Sequence, residues 1–208
     1  NYGLFMFDAP NFIWRFIKGE TDYVVGVSNY PIFEREYTER GSSVTLQQLN
    51  LSEEEKIKLI ALLNHNLRPE NRTYRYNFLY NNCSTKAHDK VEEALKAHLK
   101  DIPTDSVEVS YRDILHQYTS EYPWLQFGID YLLGVEADRG IDARRQMFAP
   151  EYLKYYTAAT EFVGDSLNYP YVIEESIVEP LVPQDEGWSF MLTPVQTMIL
   201  LILLVAVV

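Results

Sequence analysis

The chain of 208 residues has one cysteine, Cys83, and only four histidines. A single thiol forms no internal disulfide and completes no zinc-spaced cysteine set. It leaves the compartment open, because large extracytoplasmic domains fold without disulfides. Positive charge is also scarce: 18 lysines and arginines stand against 30 acidic residues, for a net charge of -12. Nucleic acid is bound by basic side chains that release counterions, so this balance, with no basic stripe, excludes it as a partner. Phosphate-cradling loops, dinucleotide fingerprints and internal repeats are missing too. No residue pattern calls for a metal or an organic cofactor. No leader is visible, and Asn1 to Phe7 reads as mid-domain strand.

What is present is apolar and aromatic. Hydrophobic residues make up 47% of the chain, enough for a core in one domain plus an appendage. Sixteen tyrosines stand out, and a tyrosine buries a ring while keeping a polar tip, which suits interfaces and wet cavities. From Met198 to Val208 every residue is apolar. These eleven fall short of the roughly 20 needed to span a bilayer as a helix. Their unbroken run still predicts the start of a transmembrane helix over 188–208, with Trp188 and Phe190 at the interface. Residues 1–187 then form the main domain. The acidic residues before the run, Glu174 to Glu186, give weak support for an extracytoplasmic position.

Short strands are expected over 2–7 and 22–27. Between them, Phe12, Ile13, Trp14, Phe16 and Ile17 surround Arg15 and Lys18, which reads as a core helix turn. An extended segment follows from Val44 to Leu49. Ser52 and Glu55 form a capping box with Leu51 as staple, and Ile57, Ile60, Leu63 and Leu67 recur at helical spacing up to Pro69. Tyr74, Tyr76 and Phe78 alternate with Arg75 and Asn77, as in a strand. A helix then begins with Ser84 or Thr85 as cap and an apolar stripe of Ala87, Val91, Ala94 and Leu95. Three shorter helical segments lie at 111–122, 124–134 and 147–163. The proline-marked acidic stretch 166–187 reads as a linker or lid.

Cys83 falls between Asn82 and the helix start. Amide hydrogens there stabilise a thiolate, and cysteines so placed have pKa values of about 3.5–7.5. A nucleophilic cysteine needs a base and an orienting group, and the helix start offers backbone amides for an oxyanion. The alternative is an inert small hydrophobe. No histidine completes the site at once: His88 lies five residues on and points away, His98 is farther along, and His65 and His116 lie in other segments.

The segments "NYGLFMFDAPNF", "RFIKGETDYVVG", "LNLSEEEKIKLIALLNHNLRPENRTYRYNFLYNNCSTKAHD", "YPWLQFGIDYLLG" and "ARRQMFAPEYL" resemble the DUF4105 family, the N-terminal periplasmic domain of the Lnb type of lipoprotein N-acyltransferase. The resemblance covers most of the chain, and "PENRTYRYNFLYNNCST" is its most specific part. It implies an α+β fold, a permuted papain-like domain of the NlpC/P60 type with added helices, followed by membrane helices. It also implies placement in the inner membrane with the main domain facing the periplasm. Cys83 is the carried-over nucleophile. The family's histidine motif precedes the "NYG" region, which places the catalytic base upstream of Asn1.

The implied chemistry is transfer of a fatty acyl group from a phospholipid, through a Cys83 thioester, to the N-terminal amine of a lipoprotein. Backbone amides of Cys83 and Ser84 are the expected oxyanion donors. Asn82 would assist them or serve as a turn or cap, and Tyr76 and Asn77 would line or support the cleft. Arg72 and Arg75 would meet a lipid phosphate or pair with Glu70 and Asp89. No metal or organic cofactor is required. Two rivals stay open: a membrane-anchored cysteine peptidase or amidase, in which water accepts the acyl group, and a non-catalytic binding module.

Overall fold

The structure, a computed structural model, describes residues 1–5, 11, 14–15, 18–95, 99–100, 109–164, 166–183 and 192–206. The chain opens with β1 (Leu4–Phe5), β2 (Asp22–Val24), α1 (Tyr30–Glu39) and β3 (Val44–Leu49). Next come α2 (Glu53–Asn66), β4 (Thr73–Arg75) and α3 (Cys83–Ala94). Then follow β5 (Val109–Ser110), α4 (Tyr111–Thr119), α5 (Pro123–Leu132), a 3-10 turn at Val135–Asp138 and β6 (Gly140–Ile141). The rest is α6 (Ala143–Gln146), α7 (Pro150–Ala159), β7 (Glu161–Phe162), β8 (Tyr169–Pro170), β9 (Val172–Val178) and α8 (Pro194–Ala206). The expected α+β character holds. The chain divides into two units, Asn1–Asp105 with Asp142–Gln184, and Ser106–Ile141 with Asp185–Val208.

In the first unit β1, β2 and β4 form an antiparallel sheet in that order, with Tyr23 opposite Tyr74. A second ribbon pairs β3 with β9, from Val44 opposite Val178 to Leu49 opposite Val172. The stretch expected as a linker or lid therefore contributes a seven-residue strand. Its acidic residues hid this from the sequence, and its partner lies more than a hundred residues earlier. The helix α2 begins at the expected capping box, where Ser52 accepts from the Glu55 amide and Glu55 answers to the Ser52 amide at 2.9 Å. The apolar stripe matches its expected position only in its second half, at Leu63 and Leu67. Ile57 and Ile60 are exposed, while Glu55, Leu59, Leu62 and Leu63 lie on the covered side. Apolar residues at 57, 59, 60, 62 and 63 surround much of the helix, so spacing alone does not set its phase.

The first unit's core gathers Tyr23, Val25, Val44, Tyr76, Ala94, Met147, Phe148, Tyr156 and Phe162. A buried bond from the Tyr156 hydroxyl to Gln146 Oε1, at 2.7 Å, ties α7 to α6. Trp14, expected in the core, is 60% exposed beneath the Lys18 ammonium; Phe12, Ile13, Phe16 and Ile17 lie outside the described residues.

In the second unit α4 is capped by a Ser110–Asp113 box and buries Tyr111, Ile114, Leu115 and Thr119. Arg112 joins it to α5 through Asp130 at 2.6 Å and to the 3-10 turn through Asp138. The Trp124 indole donates to the Leu192 carbonyl at 2.7 Å. The helix α8 holds 13 residues, about 20 Å at 1.5 Å per residue, against a hydrocarbon core of about 30 Å. No described helix is long and apolar enough to cross a membrane. This overturns the expected start of a transmembrane helix, and with it the expected membrane contact through the C-terminal segment and placement in the inner membrane. Trp188 and Phe190 lie outside the described residues.

Candidate active site

The route into the site is set by asparagines. β4 ends at Arg75, earlier than the alternation of aromatics suggests, because Asn77 folds the chain back on itself. Its side-chain oxygen accepts from the amides of Leu79 and Tyr80, at 3.1 and 3.0 Å, and its backbone bridges to Asn81. Such local bonds offer the backbone an alternative to the sheet. Asn81 donates from its side-chain amide to the Arg75 carbonyl.

Asn82, not Ser84 or Thr85, is the N-cap of α3. Its Oδ1 accepts from the Ser84 and Thr85 amides at 2.9 and 3.0 Å, and the Asn82 backbone N–H donates to the Thr85 hydroxyl in return. Its Nδ2 donates to the carbonyls of Phe78 and Phe148, at 2.9 and 2.8 Å. Both ends of this buried amide are thus committed, one to the helix start and one to holding that start against the α6–α7 connection. The Ser84 amide is engaged with Asn82 as well.

Cys83 is the first residue of α3 and is exposed. Gly3 lies against it, close enough that a Cβ there would stand 3.6 Å from the Cys83 Cβ. On the sheet beside it are three tyrosines. Tyr23 and Tyr76 are buried, with rings stacked at 3.9 Å and 7°, and Tyr74 tilts against Tyr23 at 6.0 Å. Burial pushes all three phenols up, Tyr76 to about 12, and the neighbouring Cys83 thiol adds to the shift in each. Lys86, one turn along α3, holds its ammonium 5.6 Å from the Tyr74 ring centroid.

The other expected residues are dispersed. Arg75 pairs with Asp22 at 2.7 Å rather than with Asp89. Arg72 is exposed. His65 bonds Asn71. His88 faces Arg144, which also bonds Asp89 at 2.7 Å and Glu92 at 2.9 Å. Burial first, and the Arg144 charge second, hold His88 down to about 4, so it is neutral at pH 7. The donor atoms of His88, Asp89 and Glu92 lie within 4.8 Å of one another, a grouping that suits a cation and already surrounds the Arg144 guanidinium. In the second unit His116 meets both oxygens of Asp130 at 2.9 and 3.0 Å. His98 lies outside the described residues. The sequence pointed to Tyr76 but missed Tyr23 and Tyr74 as neighbours of the thiol. The signal was the tyrosine in "TDYVV", readable only once β2 is paired with β4.

Residues 1–119 match the family model described as the Lnb N-terminal periplasmic domain. No curated protein and no solved structure matches the chain.

Proposed function

Because the chain belongs to the family of Lnb N-terminal periplasmic domains, we propose that it modifies lipoproteins and that Cys83 is the nucleophile of an acyl transfer. The observation that carries this reading is the position of Cys83, an exposed thiol on the first residue of a capped helix. The amides and dipole of a helix start favour a thiolate. Asn82 fixes that helix start through four hydrogen bonds of its side chain, so the sulfur is held in one place.

In the first step a base takes the Cys83 proton and the thiolate attacks the ester carbonyl carbon of a phospholipid. The tetrahedral oxyanion is met by the Cys83 amide, since that of Ser84 is engaged with Asn82. The carbon–oxygen bond breaks, the departing alkoxide of the lysolipid takes the proton, and an acyl thioester remains. In the second step the N-terminal amine of a lipoprotein attacks the thioester, loses its proton to the base, and Cys83 leaves as thiolate. The base in this reading is the histidine that the family resemblance implies upstream of Asn1, while His65 and His88 bond Asn71 and Arg144. Arg72 serves as the phosphate contact, while Arg75 stays with Asp22. Tyr76 and Asn77 support the cleft, Asn77 by shaping the turn before Cys83.

The test is product formation by the full-length protein. It is mixed with phospholipid and a diacylated lipopeptide in detergent, and the lipopeptide is followed by mass spectrometry. Gain of a third acyl group on the peptide amine, lost in Cys83→Ser, is the expected result. Peptide cleavage or release of free fatty acid with no acylated lipopeptide overturns transfer in favour of hydrolysis.

A further inference from the structure

Beyond its first turn, α3 gathers His88, Asp89 and Glu92. His88 and Glu92 are one helical turn apart and share a face, with Nδ1 of His88 3.7 Å from Oε2 of Glu92. Asp89 is the next residue, and one donor atom from each of the three lies within 4.8 Å of the others. The His88 side chain is only 9% exposed, whereas those of Asp89 and Glu92 are open to solvent. The group is therefore anchored on a dry imidazole and accessible from its carboxylate side.

A second observation shows where the three donors converge. The Arg144 guanidinium, carried by α6, meets His88 Nδ1 with one amino group. Its other amino group meets Asp89 Oδ1 at 2.7 Å and Glu92 Oε2 at 2.9 Å. A guanidinium has N–H donors only. The ring nitrogen facing it is therefore an acceptor, with its lone pair turned toward the shared cation position. An imidazole lone pair beside two carboxylates is a donor set for a divalent transition metal such as zinc. Calcium and magnesium take oxygen ligands instead. The two carboxylates carry two negative charges and the guanidinium returns one, so a divalent ion balances the group more fully. The Arg144 side chain is itself 45% exposed, which leaves it free to swing into solvent.

We propose that His88, Asp89 and Glu92 form a binding site for a divalent transition-metal ion, in which the Arg144 guanidinium holds the cation position until the metal displaces it. Tetrahedral zinc sits about 2.0–2.2 Å from its ligand atoms, which sets those atoms about 3.3–3.6 Å apart. The 3.7 Å between His88 and Glu92 is close to this, and rotation of the Asp89 side chain closes the rest. Water from the open side supplies the fourth ligand. Metal and the Arg144 clamp are alternatives, so binding releases α6 from this part of α3. The site stands apart from the reading of Cys83 as nucleophile and holds whether or not acyl transfer occurs.

The test is a zinc titration of the full-length protein, stripped of metal by a chelator and followed by calorimetry at neutral pH. Uptake of one ion that depends on these side chains is the expected result. His88→Gln and Glu92→Gln are each expected to weaken it at least about 10-fold. Arg144→Gln is expected to tighten it about 3- to 10-fold, because the competing cation is gone; a purely structural salt bridge predicts no such gain. Cys83→Ser is expected to leave the affinity unchanged, which separates this site from the lone thiol. No uptake, an affinity untouched by His88→Gln and Glu92→Gln, weaker binding in Arg144→Gln, or loss of binding in Cys83→Ser each overturns the proposal. Circular dichroism checks folding, and if His88→Gln or Arg144→Gln fails to fold, the exposed Glu92→Gln decides.

Discussion

Asn82 is the residue on which the site's geometry depends most. Its amide satisfies two helix-start N–H groups and two carbonyls from different parts of the first unit. Truncation removes a cap, typically about 1 kcal/mol, and strands two partly buried carbonyls, which cost more. Asn82→Ala is expected to lower unfolding stability by about 2–3 kcal/mol in urea titration and to slow alkylation of Cys83. Asn82→Asp keeps the cap but loses both donations from Nδ2 and turns a buried carboxylate oxygen toward two carbonyls, so a loss at least as large, with slower thiol alkylation beside the new negative charge, is expected. His88 sets a pH dependence. Its folded value is about 4 against an ordinary 6.5, so between those values the unfolded chain binds the extra proton. The stability linked to His88 is therefore complete above pH 6.5 and is lost as pH falls toward 4. The shift caps the effect at about 3 kcal/mol. Glu92, raised by burial, opposes it in part, and Arg144 and Asp89 complete the charged surroundings. Urea midpoints at pH 7 and pH 5 are expected to differ more in the native protein than in His88→Gln; equal differences would contradict this.

Among the elements, α2 shows how far pattern carries. Ser52 and Glu55 marked its start correctly because a capping box is a local signal between fixed neighbours. Its inward face was legible only at Leu63 and Leu67, because apolar residues occur on several sides and the packing partner, α3, chooses among them. The consequence is measurable. Ile60→Lys is expected to change stability by less than about 0.5 kcal/mol, whereas Leu63→Ala, on the covered side, is expected to cost about 1–2 kcal/mol. The same division holds elsewhere. The start of α2 and the position of Cys83 at a helix start follow from neighbours in sequence, whereas the cap of α3, expected at Ser84 or Thr85, and the turn at Asn77, expected as strand, were misread although their bonds are local. The β3–β9 pairing and the tyrosine face do not follow from neighbours, because they depend on long-range register. The asparagine before Cys83 was read as a cap or an oxyanion helper; its link to Phe148, 66 residues away, had no local signal.

At the scale of the whole molecule, net charge and the single thiol narrow the classes of partner, and the family match supplies the periplasmic assignment. The apolar tail is where composition misled: a run of aliphatic residues suggested a spanning segment, and a 13-residue helix does not reach across a bilayer. The central claim is that Cys83 carries the acyl group, and its intermediate is directly observable. The full-length protein is incubated with phospholipid in detergent, without acceptor, and its intact mass is recorded before and after neutral hydroxylamine. A fatty-acyl adduct on native protein that hydroxylamine removes and Cys83→Ser never forms is the predicted result. A folded, lipid-exposed protein that gains no adduct, or gains the same adduct in Cys83→Ser, would contradict it.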